Sequence, residues 1–88
     1  MPTISYFFGI AIRMYLNDHS PAHFHAIYGA YEAIFTVENG ELIEGRMPLA
    51  AQRLVKEWAV LNRDALMQNW YRARSGQPLE KIRGLDAE

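Results

Sequence analysis

The sequence predicts an α+β fold in a single domain spanning residues 1–88. An antiparallel sheet of four to five strands comes from the N-terminal half and packs on a long C-terminal helix or kinked helix pair. Three observations predict this. Apolar residues alternate with period two before residue 46 and recur with a helical period from 49 to 74. Eight of the eleven aromatic residues lie in the first half, where strand formers belong. Charge divides the same way: before residue 46 Arg13 stands alone against Asp18, Glu32, Glu38, Glu41 and Glu44, whereas Arg46, Arg53, Lys56, Arg63, Arg72, Arg74, Lys81 and Arg83 all follow.

Ile4–Phe8 reads as a first strand, with Gly9 as a turn, bulge or kink before a second at Ile10–Leu16. The second alternates strictly, with Ile10, Ile12, Met14 and Leu16 on one face and Ala11, Arg13 and Tyr15 on the other. Asn17–Pro21 has loop composition. Phe24–Tyr28 and Tyr31–Glu38 form a hairpin if Gly29-Ala30 is a two-residue turn. That register sets Tyr28 against Tyr31, Ala26 against Ala33 and Phe24 against Phe35 as a buried row. His23, His25 and Ile27 then project from the other face, across from Thr36, Ile34 and Glu32. Asn39-Gly40 is a second hairpin signal, leading into Glu41–Arg46.

In the second half, Pro48 suits a first helical turn, and Gly76 followed by Pro78 ends the helix. Leu54, Val55, Trp58, Ala59, Leu61, Ala65, Leu66, Trp70 and Ala73 share one arc; Arg53, Lys56, Glu57, Arg63, Asp64 and Arg74 share the opposite one. Asn62 and Asn69 fall within the apolar arc. Either Asn62 caps a second helix after a break, or these amides meet something polar inside. Leu79, Ile82 and Leu85 are expected to lay the tail back on the body.

Composition bounds the function. Eighty-eight residues, half of them hydrophobic, make a domain that is marginal alone. No cysteine is present, which excludes disulfides, thiol nucleophiles and thiolate metal sites. A homo-oligomer or a small cognate partner is therefore expected. No apolar run is long enough for a membrane span and no signal peptide is evident, so a cytoplasmic location and no membrane partner are expected. With a net charge of −1, non-specific affinity for nucleic acid is weak unless the helix's basic stripe acts locally. Trp58 and Trp70 read as core rather than as a stacking platform for bases.

The chemistry concentrates in Asp18-His19-Ser20-Pro21-Ala22-His23-Phe24-His25, which holds all three histidines. His23 and His25, two apart on a strand, point the same way about 7 Å apart. Neutral imidazoles at that spacing can share a divalent metal such as zinc, with Asp18 or His19 curling back as a further ligand. Without metal, which the chain does not strictly require, His19, His23 and His25 can serve as general acid and base near neutrality. Arg13 supplies a cation for a phosphate or oxyanion if its strand neighbours His23–Tyr28. Glu32 is placed to orient a ring nitrogen from the facing strand.

The DHxPxHFH string, with Phe8-Gly9-Ile10, Tyr28-Gly29-x-Tyr31-Glu32-Ala33, Leu54-Val55-x-Glu57-Trp58 and Pro78-Leu79-x-Lys81-Ile82, resembles a bacterial family, domain of unknown function forty-one-sixty. The resemblance spans nearly the whole chain and implies no reaction. It implies a small bacterial protein encoded beside another, of domain of unknown function twenty-four-forty-two, in a pair read by analogy as toxin and antitoxin. Two functions stay open on this basis. One is a toxin-like component acting on RNA through the histidine cluster, with Arg13 holding phosphate. The other is a non-catalytic metal-binding or protein-interaction module forming a homo- or heterodimer. Whether the chain is an enzyme depends on which holds.

Overall fold

Five strands follow one another across one antiparallel sheet in sequence order: β1 (Thr3–Phe7), β2 (Ile10–Arg13), β3 (His23–Tyr28), β4 (Tyr31–Thr36) and β5 (Leu42–Gly45). Two helices, α1 (Leu49–Leu61) and α2 (Arg63–Arg74), complete the chain before its tail. The structure is a computed structural model describing residues 2–16 and 18–86. No helix among the described residues is long and apolar enough to cross a membrane.

The turns set the register. Phe8-Gly9 closes β1 on β2, so β1 stops at Phe7 and Phe8 adopts φ +50° rather than continuing the strand. Gly29-Ala30 closes β3 on β4 in the expected register, pairing Phe24 with Phe35, Ala26 with Ala33 and Tyr28 with Tyr31. The inner four of these side chains are buried, while Tyr28 and Tyr31 lie exposed at the sheet's end. β2 ends at Arg13 rather than Leu16: Arg13 pairs with Thr3, where β1 begins, and with His25, while β3 runs on to His23 without a β2 partner. Leu16 therefore leaves the alternation and is exposed.

The Asn39-Gly40 turn is wider than a two-residue hairpin. Thr36 N–H donates to the Glu41 carbonyl, and Gly40 N–H to that of Thr36. This four-residue loop ends β4 two residues before Glu38 and turns Val37 into the core. Between β4 and β5 the register slips by one residue, leaving Ile43 unpaired as a bulge. At Gly45 (φ +88°) a Cβ would meet the backbone of Glu32 and Ala33, so only glycine lets β5 approach β4 there.

One sheet face packs on the helices. Phe7, Phe24, Phe35 and Trp58 form its aromatic centre, with Trp58 inclined to Phe7 and edge-on to Phe24. The helical segment is a kinked pair. Asn62 (φ −117°) does not cap α2 with its side chain; its Nδ2 donates back to the Trp58 carbonyl at 2.9 Å. The break turns Leu61 and Ala65 out to solvent, whereas the rest of the expected apolar arc lies inward. At the other end of α2, Gln77 N–H donates to the Arg72 carbonyl across Gly76 (φ +72°), a Schellman closure. The tail then returns over the core through Leu79, Ile82 and Leu85, as expected.

Candidate metal centre

The open sheet face positions the cluster. Arg13 of β2, His25 of β3, Ile34 of β4 and Glu44 of β5 form one cross-strand row on that face. His23 lies two residues along, and the loop after β2 brings Asp18 back to both rings. Asp18, His23 and His25 each offer one ligand atom, and these three atoms lie within 4.8 Å of one another.

Hydrogen bonds fix how each ring is turned. His23 Nδ1–H donates to the Pro21 carbonyl at 2.7 Å, and its Nε2 lies 2.8 Å from Asp18 Oδ2. A carbonyl only accepts, so Nδ1 carries the proton and Nε2 is the nitrogen aimed at the carboxylate. His25 Nδ1 meets Glu32 Oε2 at 3.2 Å, and its Nε2 stands 3.8 Å from the same Asp18 oxygen. That Nε2 is buried and has no hydrogen-bond partner. Two imidazoles thus converge through Nε2 on one carboxylate, each held from behind by an oxygen acceptor on Nδ1. This is the support that orients metal-ligating histidines.

Neighbours from across the fold enclose the cluster. Tyr15 stands edge-on to His25 with ring centroids 4.3 Å apart. Trp70 of α2 lies 5.2 Å from the His23 ring, which explains why His23 is buried although it faces away from the main core. Arg74 lies over Trp70 and donates to the Asp18 carbonyl at 3.3 Å. A cavity of about 270 Å³ opens beside the rings, under the loop carrying His19 and Pro21.

Of the residues singled out in the sequence, His23, His25 and Asp18 come together, and Glu32 Oε2 lies 3.2 Å from His25 Nδ1. His19 does not join them: its side chain is 91% exposed, with Nδ1 3.3 Å from Asp18 Oδ1, outside the converging trio. Arg13 does pair with His25 across the strands, and its buried Nε has no hydrogen-bond partner. Tyr15 could have been found, since strand alternation puts it on the same face as Arg13. Trp70 and Arg74 carry no such signal, because only the chain's return through α2 brings them here.

Burial pushes the Asp18 carboxyl up, but hydrogen bonds from His19 N–H and His23, with the charge of those two rings, outweigh it and hold the pKa below 3.8. A lowered folded-state pKa contributes stability above the unfolded value that is lost as pH falls through the folded one. Asp18→Asn is therefore expected to lose part of its stability at neutral pH and to unfold with a shallower acid dependence below about pH 4. Thermal unfolding from pH 2 to 7 checks this; identical slopes for the two proteins would remove Asp18 from the acid response.

Compared with known proteins, residues 9–71 match the family model described as Domain of unknown function (DUF4160). No curated protein and no solved structure matches the chain.

Proposed function

From the premise that the chain belongs to the DUF4160 family, whose description carries no reaction, we propose that it is a divalent-metal protein, with Asp18, His23 and His25 as ligands. One observation carries this reading: both Nε2 atoms converge on Asp18 Oδ2 while both Nδ1 atoms are engaged from behind. A tetrahedral ion with bonds near 2.0–2.1 Å separates its ligand atoms by about 3.3 Å. The two distances to Asp18 Oδ2, 2.8 and 3.8 Å, straddle that value. Small shifts of the Asp18 carboxylate reach it.

With Nδ1 engaged by the Pro21 carbonyl and Nε2 turned to Asp18, the His23 ring presents Nε2 to the point where a cation would sit. Three protein ligands would leave a position open on such an ion, and a cavity lies beside the rings. Zinc with an open position lowers the pKa of bound water to about 7 and so supplies a nucleophile for hydrolysis.

Titration with zinc is expected to show about one equivalent bound with a Kd at or below ~1 µM, a binding free energy of about 8 kcal/mol. Binding should release protons and weaken as pH falls, because the ligating nitrogens must be free of them. Calorimetry in buffers of different ionisation enthalpy reads both effects. No uptake at about 100 µM zinc, a range where even weak sites of ~4–5 kcal/mol begin to fill, would overturn the reading.

A second reading, a toxin-like component that cuts RNA, is favoured by the two arginines at the cluster. Arg13 pairs with His25, and Arg74 is anchored to Asp18, so a phosphate could be met by a cation on either side. Intact RNA and unimpaired growth on induction of the chain, at a soluble yield equal to that of a His23→Ala/His25→Ala variant, would sink it.

A further inference from the structure

The two edges of the sheet are finished differently. The tail covers the outer side of β1, where Ile82 N–H donates to the Ile4 carbonyl at 2.7 Å. β5 ends the strand order, and no strand lies beyond it among the described residues. An edge strand directs alternate N–H and C=O groups outward, where they template another strand.

Both sides of this edge are shaped. On the open face, Glu32 and Glu44 border a hollow of about 260 Å³ that continues past His25 and Ile34 into the cavity of the metal cluster. On the helix side, a hollow of about 150 Å³ opens between β5 and α1, where Phe35, Leu42 and Leu49 share the walls with Glu41, Gln52, Arg53 and Lys56. Leu49, 60% exposed, lines this hollow, and Ile43, 51% exposed, lines the cavity on the open face.

We infer that the β5 edge takes an extended segment of another polypeptide as a sixth strand, with basic side chains towards Glu44 and Glu32 and apolar ones towards Leu42 and Leu49. Successive side chains of a strand point to opposite faces, so an alternating basic–apolar segment meets carboxylates with one row, and with the other meets Leu42 and Leu49 at the mouth of the helix-side hollow. A nucleic acid laid along the same groove would bring its phosphates against Glu32 and Glu44. The surface belongs to the sheet edge and exists whether or not Asp18, His23 and His25 hold a cation.

Fluorescence anisotropy with two labelled seven-residue peptides tests this on the full chain in EDTA, independently of any metal. One peptide alternates lysine with valine and the other glutamate with valine. The lysine peptide is expected to bind at least about tenfold more tightly and to slow amide hydrogen exchange across residues 42–46. Ile43→Pro removes an edge N–H and should abolish binding, Glu44→Lys should weaken it about tenfold or more, and Glu57→Lys on the exposed face of α1 should leave it unchanged. Equal binding of the glutamate peptide or of a short oligouridylate overturns the inference. So does lysine-peptide binding indifferent to both β5 variants, or no binding at about 1 mM, roughly the weak limit of about 4 kcal/mol. Concentration-dependent protection of residues 42–46 without peptide would mean that a second copy occupies the edge, and would overturn it as well.

Discussion

Replacing His25 by alanine is expected to lower zinc affinity by more than about a hundredfold, the upper end of what loss of an orienting partner costs. In the proposed site His25 offers a nitrogen that is already buried and without a hydrogen-bond partner, so no hydrogen bond of that nitrogen would be sacrificed when a metal binds. The orienting partner gives a graded comparison. Glu32→Gln retains an oxygen to accept from His25 Nδ1–H but loses the charge, and about tenfold weaker binding is expected; Glu32→Ala loses both and should approach a hundredfold. His19→Ala is expected to bind zinc as the parent does, because its exposed ring stands outside the trio. Competition with a chromogenic chelator measures the series, with thermal unfolding as the check that each variant is folded. An effect of His19→Ala as large as that of His25→Ala, or no effect of either Glu32 substitution, would place the ion elsewhere.

That contrast between His19 and Glu32 shows what the sequence makes legible. Glu32 is reachable from the turn alone: a two-residue Gly29-Ala30 turn sets the pairing of β3 with β4, and pairing decides which side chains share a face. The buried row and the histidine face follow from the same register. His19 is not reachable that way, because it sits in a loop whose path depends on Asp18 meeting the His23 ring and on Arg74 arriving from α2. Periodicity likewise finds the helical segment and its inward arc but not the consequence of the break. At Asn62 the phase shifts enough to expose Leu61 and Ala65, while Trp58 and Leu66 on either side stay fully buried. Strand ends at Arg13 and Thr36 were hidden for a similar reason. A strand stops where its neighbours stop or where a loop needs a residue, and neither condition is local.

Asn69 shows the same limit and leads to the largest effect expected on stability. An amide on the apolar arc of a helix signals a buried polar partner without naming it. The partner is the backbone of the tail: Asn69 Nδ2 donates to the Glu80 carbonyl at 2.8 Å, and Glu80 N–H donates to Asn69 Oδ1 at 2.9 Å. Asn69 is fully buried, and Arg72 Nη1 donates to the same Oδ1 at 3.1 Å. Three residues beyond, Trp58 Nε1–H donates to the Arg83 carbonyl at 2.8 Å, and at Gly84 a Cβ would come within 2.7 Å of the Phe7 Cβ. The tail is thus held by side-chain amide and indole groups and pressed against β1 too closely for any side chain at residue 84. Asn69→Ala orphans both backbone groups of Glu80 and is expected to cost about 2–4 kcal/mol. For a domain of this size each kcal/mol lowers Tm by about 4–8 °C. Gly84→Val should destabilise by the independent route of steric exclusion. Both variants are expected to accelerate amide exchange at residues 79–86 and across β1, because Ile82 N–H closes that edge of the sheet. A Tm within about 2 °C of the parent for Asn69→Ala, less than half a kcal/mol on the same scale, would mean that apolar packing of Leu79, Ile82 and Leu85 holds the tail and that the amide pair does not.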